Sequence, residues 1–188
     1  MKVYLLGAGA SRAYDQSPTG QRMPLARDVF DIFPRLKTSS NPWVLIGAIV
    51  EHVSRSRGVK YENFSCFNDD IEEFYSEVQD FLVGAIRRKD DVGTASAFKI
   101  TNQLVFLFTS VINEIQNGQA STAHRSIART LAPADRVLTF NWDTLMDRAM
   151  MEETPWRTDF GYLAVPRLIH RGDWVPPTPQ RAQILHCY

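Results

Sequence analysis

Apolar residues along this chain fall into two patterns: short continuous runs stopped by turn chemistry, and longer stretches with apolar positions three and four apart. The first predicts strands and the second helices. Lys2 to Leu6 is a compact run ending at Gly7-Ala8-Gly9-Ala10-Ser11, which reads as a buried strand delivering a tight turn into a helix. Ser17-Pro18-Thr19-Gly20 is a loop, and Pro24 suits the first turn of a helix over about 25–33, limited by Pro34. From Trp43 onward Val44, Leu45, Ala48, Ile49 and Val53 mark one helical face that closes near Gly58.

The strongest helical pattern follows Asn68, a candidate cap, with Ile71, Phe74, Tyr75, Val78, Phe81, Leu82, Ala85 and Ile86 on one stripe. Asp69, Asp70, Glu72 and Glu73 load its start and Arg87, Arg88 and Lys89 its end, as a helix dipole prefers, so these charges read as solvated helix ends. A further helix over about 95–115 turns Phe98, Leu104, Leu107, Phe108, Val111, Ile112 and Ile115 inward, with Gly118 beyond its end. After a short helix near 122–131 and Pro133, Arg136 to Phe140 is the second clear strand, followed by helix over 143–151. Pro155, Gly161, Pro166, Gly172, Pro176, Pro177 and Pro179 then break the tail into short pieces, and 182–186 is the last strand candidate.

Strands separated by helices predict an α/β fold: one domain over 1–188 with a Rossmann-like parallel sheet and a large helical insertion, about 41–131, between the first two core strands. At 188 residues and 44% hydrophobic composition, a sizeable core is expected. Lys plus Arg number 21 and Asp plus Glu number 21, so no electrostatic footprint advertises direct binding to nucleic acid or an anionic membrane. Cys66 and Cys187 are too few for a four-thiolate zinc site or a disulfide framework, which points to a reducing cytoplasm. The longest apolar run, Leu104 to Phe108, is far short of the roughly 20 residues of a membrane-spanning helix, and the N-terminal run is too short for a signal-peptide core. No membrane role is expected.

Chemistry is concentrated at the strand exits. GAGAS puts two glycines where a strand meets a helix, a geometry that lets backbone approach a diphosphate. Arg12 stands where G-x-G-x-x-G has its third glycine, and GxxxxGK[ST] is absent, so an ordinary tight turn is the competing reading. The exit TFNWDTL, Thr139 to Leu145, offers Asn141 as a cap for the next helix and Asp143 at that helix's positive end. In a parallel sheet both exits fall on the carboxyl edge, where ligands bind, and ILHCY adds His186 at the end of the third strand candidate. Trp142 reads as core. His52, His124 and His170 have no ligand-like spacing and default to structural roles, as does the thiol of Cys66; Arg12 and Arg27 are within the chemistry of phosphate contact.

The order GAGAS, LTFNWD and LH, with a helix beginning DDIEEF between them, resembles the bacterial sirtuin-like NAD-hydrolase family, whose forms are a GAG-x-S opening, a TTNYD-like strand exit and an LHG element. The resemblance spans the whole chain. It implies an NAD pocket in which Gly7, Ala8, Gly9 and Ser11 line the phosphate side and Asn141 holds the nicotinamide ribose or an attacking water. Asp143 then accepts from the nicotinamide carboxamide, and neutral His186 is a base toward a ribose hydroxyl or water. The implied activity is a glycohydrolase with NAD as substrate, without zinc, serving as an effector of anti-phage defence with an activating partner or further domain and room for oligomer formation. Cys187 replaces the glycine of LHG, and family members continue beyond this point, so part of the sheet is expected to be missing. Two alternatives stand beside it: a non-catalytic module binding NAD or ADP-ribose, and an NAD-dependent deacylase, against which the absence of paired zinc-binding cysteines speaks.

Overall fold

The computed structural model describes residues 1–36, 41–60, 62, 67 and 69–157, and the backbone of 183–186. Its elements run β1 (Val3–Leu6), α1 (Ala8–Arg12), α2 (Val29–Ile32), a 3-10 turn at Phe33–Arg35, α3 (Pro42–Leu45), α4 (Gly47–Arg57), α5 (Ile71–Arg88), α6 (Asp91–Gln116), α7 (Thr122–Thr130), β2 (Arg136–Thr139), α8 (Leu145–Glu153) and β3 (Gln183–His186). The described chain is mostly helical with a small parallel sheet. It divides into two compact units, Met1–Met23 with Ile115–Tyr188, and Pro24–Glu114.

The first unit holds the sheet, in the order β1-β2-β3, with every pairing parallel. Leu6, Thr139 and His186 share one register row, so the three strands exit at the same edge. The opposite end is pinned by Asp135, whose Oδ1 accepts the Lys2 amide at 2.7 Å and whose Oδ2 accepts that of Ala132 at 3.0 Å. Alternation along the strands sends Leu6 and Val137 into a core with Ala128 of α7, Met146, Ala149 and Met150 of α8, and Trp156. Each such buried side chain larger than alanine contributes about 1.5–3 kcal/mol. The other face differs from the expected buried strand: Val3 and Leu5 are exposed among the described residues, because α7 and α8 both pack on the Leu6 side.

In the second unit, Phe30, Phe67 and Phe74 meet edge to face at centroid distances of 4.9, 5.8 and 6.0 Å. The Arg57 guanidinium lies 5.5 Å from two of those rings and pairs with Asp69 and Glu77. Gln103 of α6 accepts the Ala48 and Ile49 amides at 2.7 and 3.2 Å, satisfying the first turn of α4. His52 has the structural role expected of it, with Nε2 3.3 Å from Glu77 and its ring against Phe74 and Phe81.

Several local expectations are corrected. Asp70, not Asn68, caps α5, accepting the Glu72 and Glu73 amides at 3.0 and 3.4 Å. The helix expected after Pro24 starts only at Val29, because the Leu25 amide bonds to the Asp28 carboxylate in a preceding turn. A break at Ile46 separates α3 from α4 and leaves Val44 and Leu45 exposed. The buried stripes of α5 and α6 are also narrower than predicted, so Tyr75, Ile86 and Phe98 face outward. By length and composition α6 is one helix, among the described residues, that could cross a membrane. The spacing of its buried Ala97, Ile100, Leu104, Leu107, Val111 and Ile115 is that of a core helix presenting one face. Cys66, Asn68, His170 and Cys187 lie outside the described residues.

Candidate functional site

At the β1 exit, Gly7 is the N-cap of α1, with φ −120° and ψ −178°, and no side chain caps the helix. Its carbonyl accepts the Ala10 amide at 2.8 Å. A Cβ built on Gly7 or Gly9 meets no described atom within 4 Å, and neither residue has positive φ. Neither glycine is therefore demanded by backbone conformation or by crowding among the described residues. Gly118 shows the opposite case, since a Cβ there would lie 1.8 Å from the Gln16 carbonyl oxygen. Arg12, at the third-glycine position, turns Nη1 to the Met23 carbonyl at 3.2 Å.

The β2 exit lies directly against this loop, with the Phe140 amide donating to the Leu6 carbonyl at 3.2 Å. Thr139 Oγ1 accepts the Asn141 amide at 3.1 Å and so turns the chain off the strand. Asn141 Nδ2 then donates to the Gly7 carbonyl at 3.0 Å and to Ser11 Oγ at 2.6 Å. Ser11 Oγ donates in turn to Asp143 Oδ2 at 2.5 Å. Ser11 is thus joined to Asn141 and Asp143, 130 and 132 positions away, in one buried polar group. The helix cap expected of Asn141 is not made: the N-cap of α8 is Thr144, without a side-chain cap bond, and one residue earlier Asp143 Oδ1 accepts the Leu145 amide at 3.0 Å. Trp142 is 51% exposed and Phe140 55%, so the aromatic expected in the core stands outside it. Exposure alternates along this exit, with Phe140 and Trp142 outside and Asn141 and Asp143 buried.

β3 brings the His186 backbone level with Thr139 on the same edge, while its side chain is outside the description. Gly7, Ala8, Gly9, Ser11, Asn141, Asp143 and the main chain of His186 therefore come from segments that leave the sheet together. Among the described residues no three His, Cys, Asp or Glu gather as metal ligands.

Two residues of this neighbourhood escaped the sequence reading. Gln116 accepts the Thr144 amide and hydroxyl through Oε1 at 3.0 and 3.3 Å, which ties the end of α6 to the turn carrying Asp143. Arg148 of α8 donates to the main-chain carbonyls of Gln116 and Gly118 and so holds the end of α6. His124 is buried on α7, with Nδ1 2.8 Å from the hydroxyl of Ser121, the helix cap. Burial pushes its pKa below 6.5, while the Asp143 carboxylate pulls it back up. Its place on one helical stripe with Ile127, Ala128 and Leu131 was the available signal, and it marks burial rather than nearness to Asp143.

An open glycine backbone with uncapped amides, next to a fixed carboxamide, is an arrangement that can receive an anion and orient hydroxyl groups beside it. No protein-family model and no curated protein matches this chain.

Proposed function

We propose that the chain is an NAD glycohydrolase domain of Rossmann-like, sirtuin-like design, releasing nicotinamide and ADP-ribose. The observation that supports this most is the hydrogen bond from the Asn141 carboxamide to the Gly7 carbonyl, which brings the amide side chain to the bare-backbone loop. A diphosphate would lie against Gly7, Ala8 and Gly9, and packing among the described residues gives no reason for the missing side chains of the two glycines. Asn141 would then stand beside the sugar that carries the scissile bond.

The chemistry asks for positioning more than for a strong nucleophile. Breaking the bond between the ribose carbon and the pyridinium nitrogen returns its electron pair to nicotinamide and leaves positive character on the sugar. Water forms the new bond to that carbon and gives up one proton, so NAD and water become nicotinamide, ADP-ribose and a proton. Asn141 would orient the water or a ribose hydroxyl; His186, at the same edge, would take the proton. Asp143 would receive the carboxamide of nicotinamide. On this reading the enzyme acts in the cytoplasm as an anti-phage effector that depletes NAD, triggered by a partner protein or a further domain.

The test is incubation of the purified chain with NAD, with and without lysate from phage-infected cells, following nicotinamide by chromatography. Release that disappears in Asn141→Ala, with folding retained, is the expected result. Absence of both binding and turnover under every condition contradicts the proposal. A second reading, a module that binds NAD or ADP-ribose without cleaving it, is favoured by the way Ser11, Asn141 and Asp143 already satisfy one another. Calorimetric binding without nicotinamide release would select it. Deacylation is disfavoured by the two cysteines of the sequence, and turnover of an acyl-lysine peptide would restore it.

A further inference from the structure

We propose that Ser11 is a positioning residue that fixes the orientation of the Asn141 carboxamide, and not a ligand of the diphosphate. This rests on the glycohydrolase reading for its kinetic consequence, but its geometry stands without it. A serine hydroxyl has one proton and two lone pairs. Asp143 Oδ2, 2.5 Å away, is a carboxylate oxygen that only accepts, so the hydroxyl proton is committed there. Ser11 Oγ consequently meets Asn141 Nδ2, at 2.6 Å, with a lone pair.

The second Asn141 N–H goes to the Gly7 carbonyl at 3.0 Å, another group that can only accept. Turning the amide over would set Oδ1 against a carbonyl oxygen and against a hydroxyl whose proton is already used. The chain Asp143, Ser11, Asn141 therefore has one polarity, and it leaves Oδ1 as the atom of Asn141 offered to other donors. That is the group a ribose hydroxyl or a water needs. Ser11 itself is buried and has no proton left for a phosphate oxygen.

The experiment compares wild type, Ser11→Ala and Ser11→Thr by two readouts. The first is the Asn141 side-chain amide signal in ¹H–¹⁵N NMR without any ligand, and the second is kcat and KM for NAD. Positioning predicts that Ser11→Ala moves the Asn141 signal and lowers kcat by about 100-fold, with KM changed less than about threefold. Ser11→Thr, which keeps the hydroxyl, restores both. Should Ser11→Ala fail to fold by circular dichroism, Ser11→Cys takes its place, since its thiol is only a weak donor and acceptor. An Asn141 signal unmoved by loss of the hydroxyl overturns the inference, as does a KM that rises while kcat holds. A wild type that does not turn over NAD removes the glycohydrolase reading, and the amide signal alone then decides on Ser11.

Discussion

Pro24–Glu114 buries apolar side chains, whereas Met1–Met23 with Ile115–Tyr188 also buries Ser11, Gln116, Ser121, His124, Asp135, Thr139, Asn141, Asp143 and Asp147. Among the described residues, the polar residues buried as a whole all fall in the sheet-bearing unit, and the helical unit buries the hydroxyl oxygen of Thr101. The contrast matters because burying a polar group costs about 1–3 kcal/mol unless it is hydrogen-bonded. The helical unit keeps its charged groups in partly exposed pairs such as Arg35 with Asp31 and Arg55 with Glu51, which contribute little to stability. It also has a groove of about 540 Å³ lined by Trp43, Val44, Val50 and Arg55. Its polar lining, Glu51, Ser54 and Arg55, is at the surface, with Arg55 paired to Glu51. One unit is organised for packing and the other for placing polar atoms.

Substitutions should separate these roles. The largest effect on stability is expected at Phe74→Ala, which removes the ring shared by Phe30, Phe67 and Arg57 and costs about 3–5 kcal/mol in a urea titration. A loss under 1 kcal/mol would mean that the aromatic cluster is not the core of its unit. Asn141→Ala should reverse the balance, costing only about 1–2 kcal/mol of stability while kcat for nicotinamide release falls on the order of 10²- to 10³-fold. Equal losses of stability and activity would make Asn141 a structural lock.

Gly9→Ala sharpens the comparison within the sheet-bearing unit. Gly9 lies in α1 and the new Cβ has open space around it, so the protein should be as stable or about 0.5–1 kcal/mol more stable. Its affinity for ADP-ribose should nevertheless drop about tenfold by calorimetry, since the methyl group occupies the approach of the diphosphate. Unchanged affinity would return GAGAS to an ordinary turn.

The smallest effect concerns pH. His124 has its folded pKa below the usual 6.5, so the unfolded chain takes up its proton first as pH falls. The stability it contributes is complete above about pH 6.5 and is lost progressively as pH drops from there through the folded pKa. Urea midpoints at pH 7.5 and 5.5 should show that loss in wild type and less of it in His124→Gln. In an NMR titration, Asp143→Asn should lower the His124 pKa further by removing the carboxylate that raises it. A His124 that titrates at or above 6.5 contradicts the burial argument.

The sequence revealed elements better than it revealed partners. Strands at Val3–Leu6 and Arg136–Thr139, and the long helices between them, follow from runs and periodicity that are local properties. Their parallel pairing follows from strand-helix alternation. Outward-facing Phe98, Tyr75 and Trp142 were not legible, because composition records that a residue is apolar and not how wide the covered stripe is. At the site, Asn141 and Asp143 were both singled out, but the use of the Asn141 side chain is set by the Gly7 carbonyl and Ser11 hydroxyl, 134 and 130 positions away, instead of by the α8 terminus. Gln116 was invisible for the same reason, its side-chain oxygen being committed to Thr144, 28 positions away.

The most direct measurement is a ¹H–¹⁵N NMR titration of the whole chain with ADP-ribose, the product expected to occupy the site without being consumed. The account predicts that the backbone amides of Gly7, Ala8 and Gly9 and the side-chain amide of Asn141 shift together along one binding curve, while Val50 and Ser54 of the helical unit's groove stay in place. Shifts confined to the groove, or no shift at millimolar ADP-ribose, would contradict it.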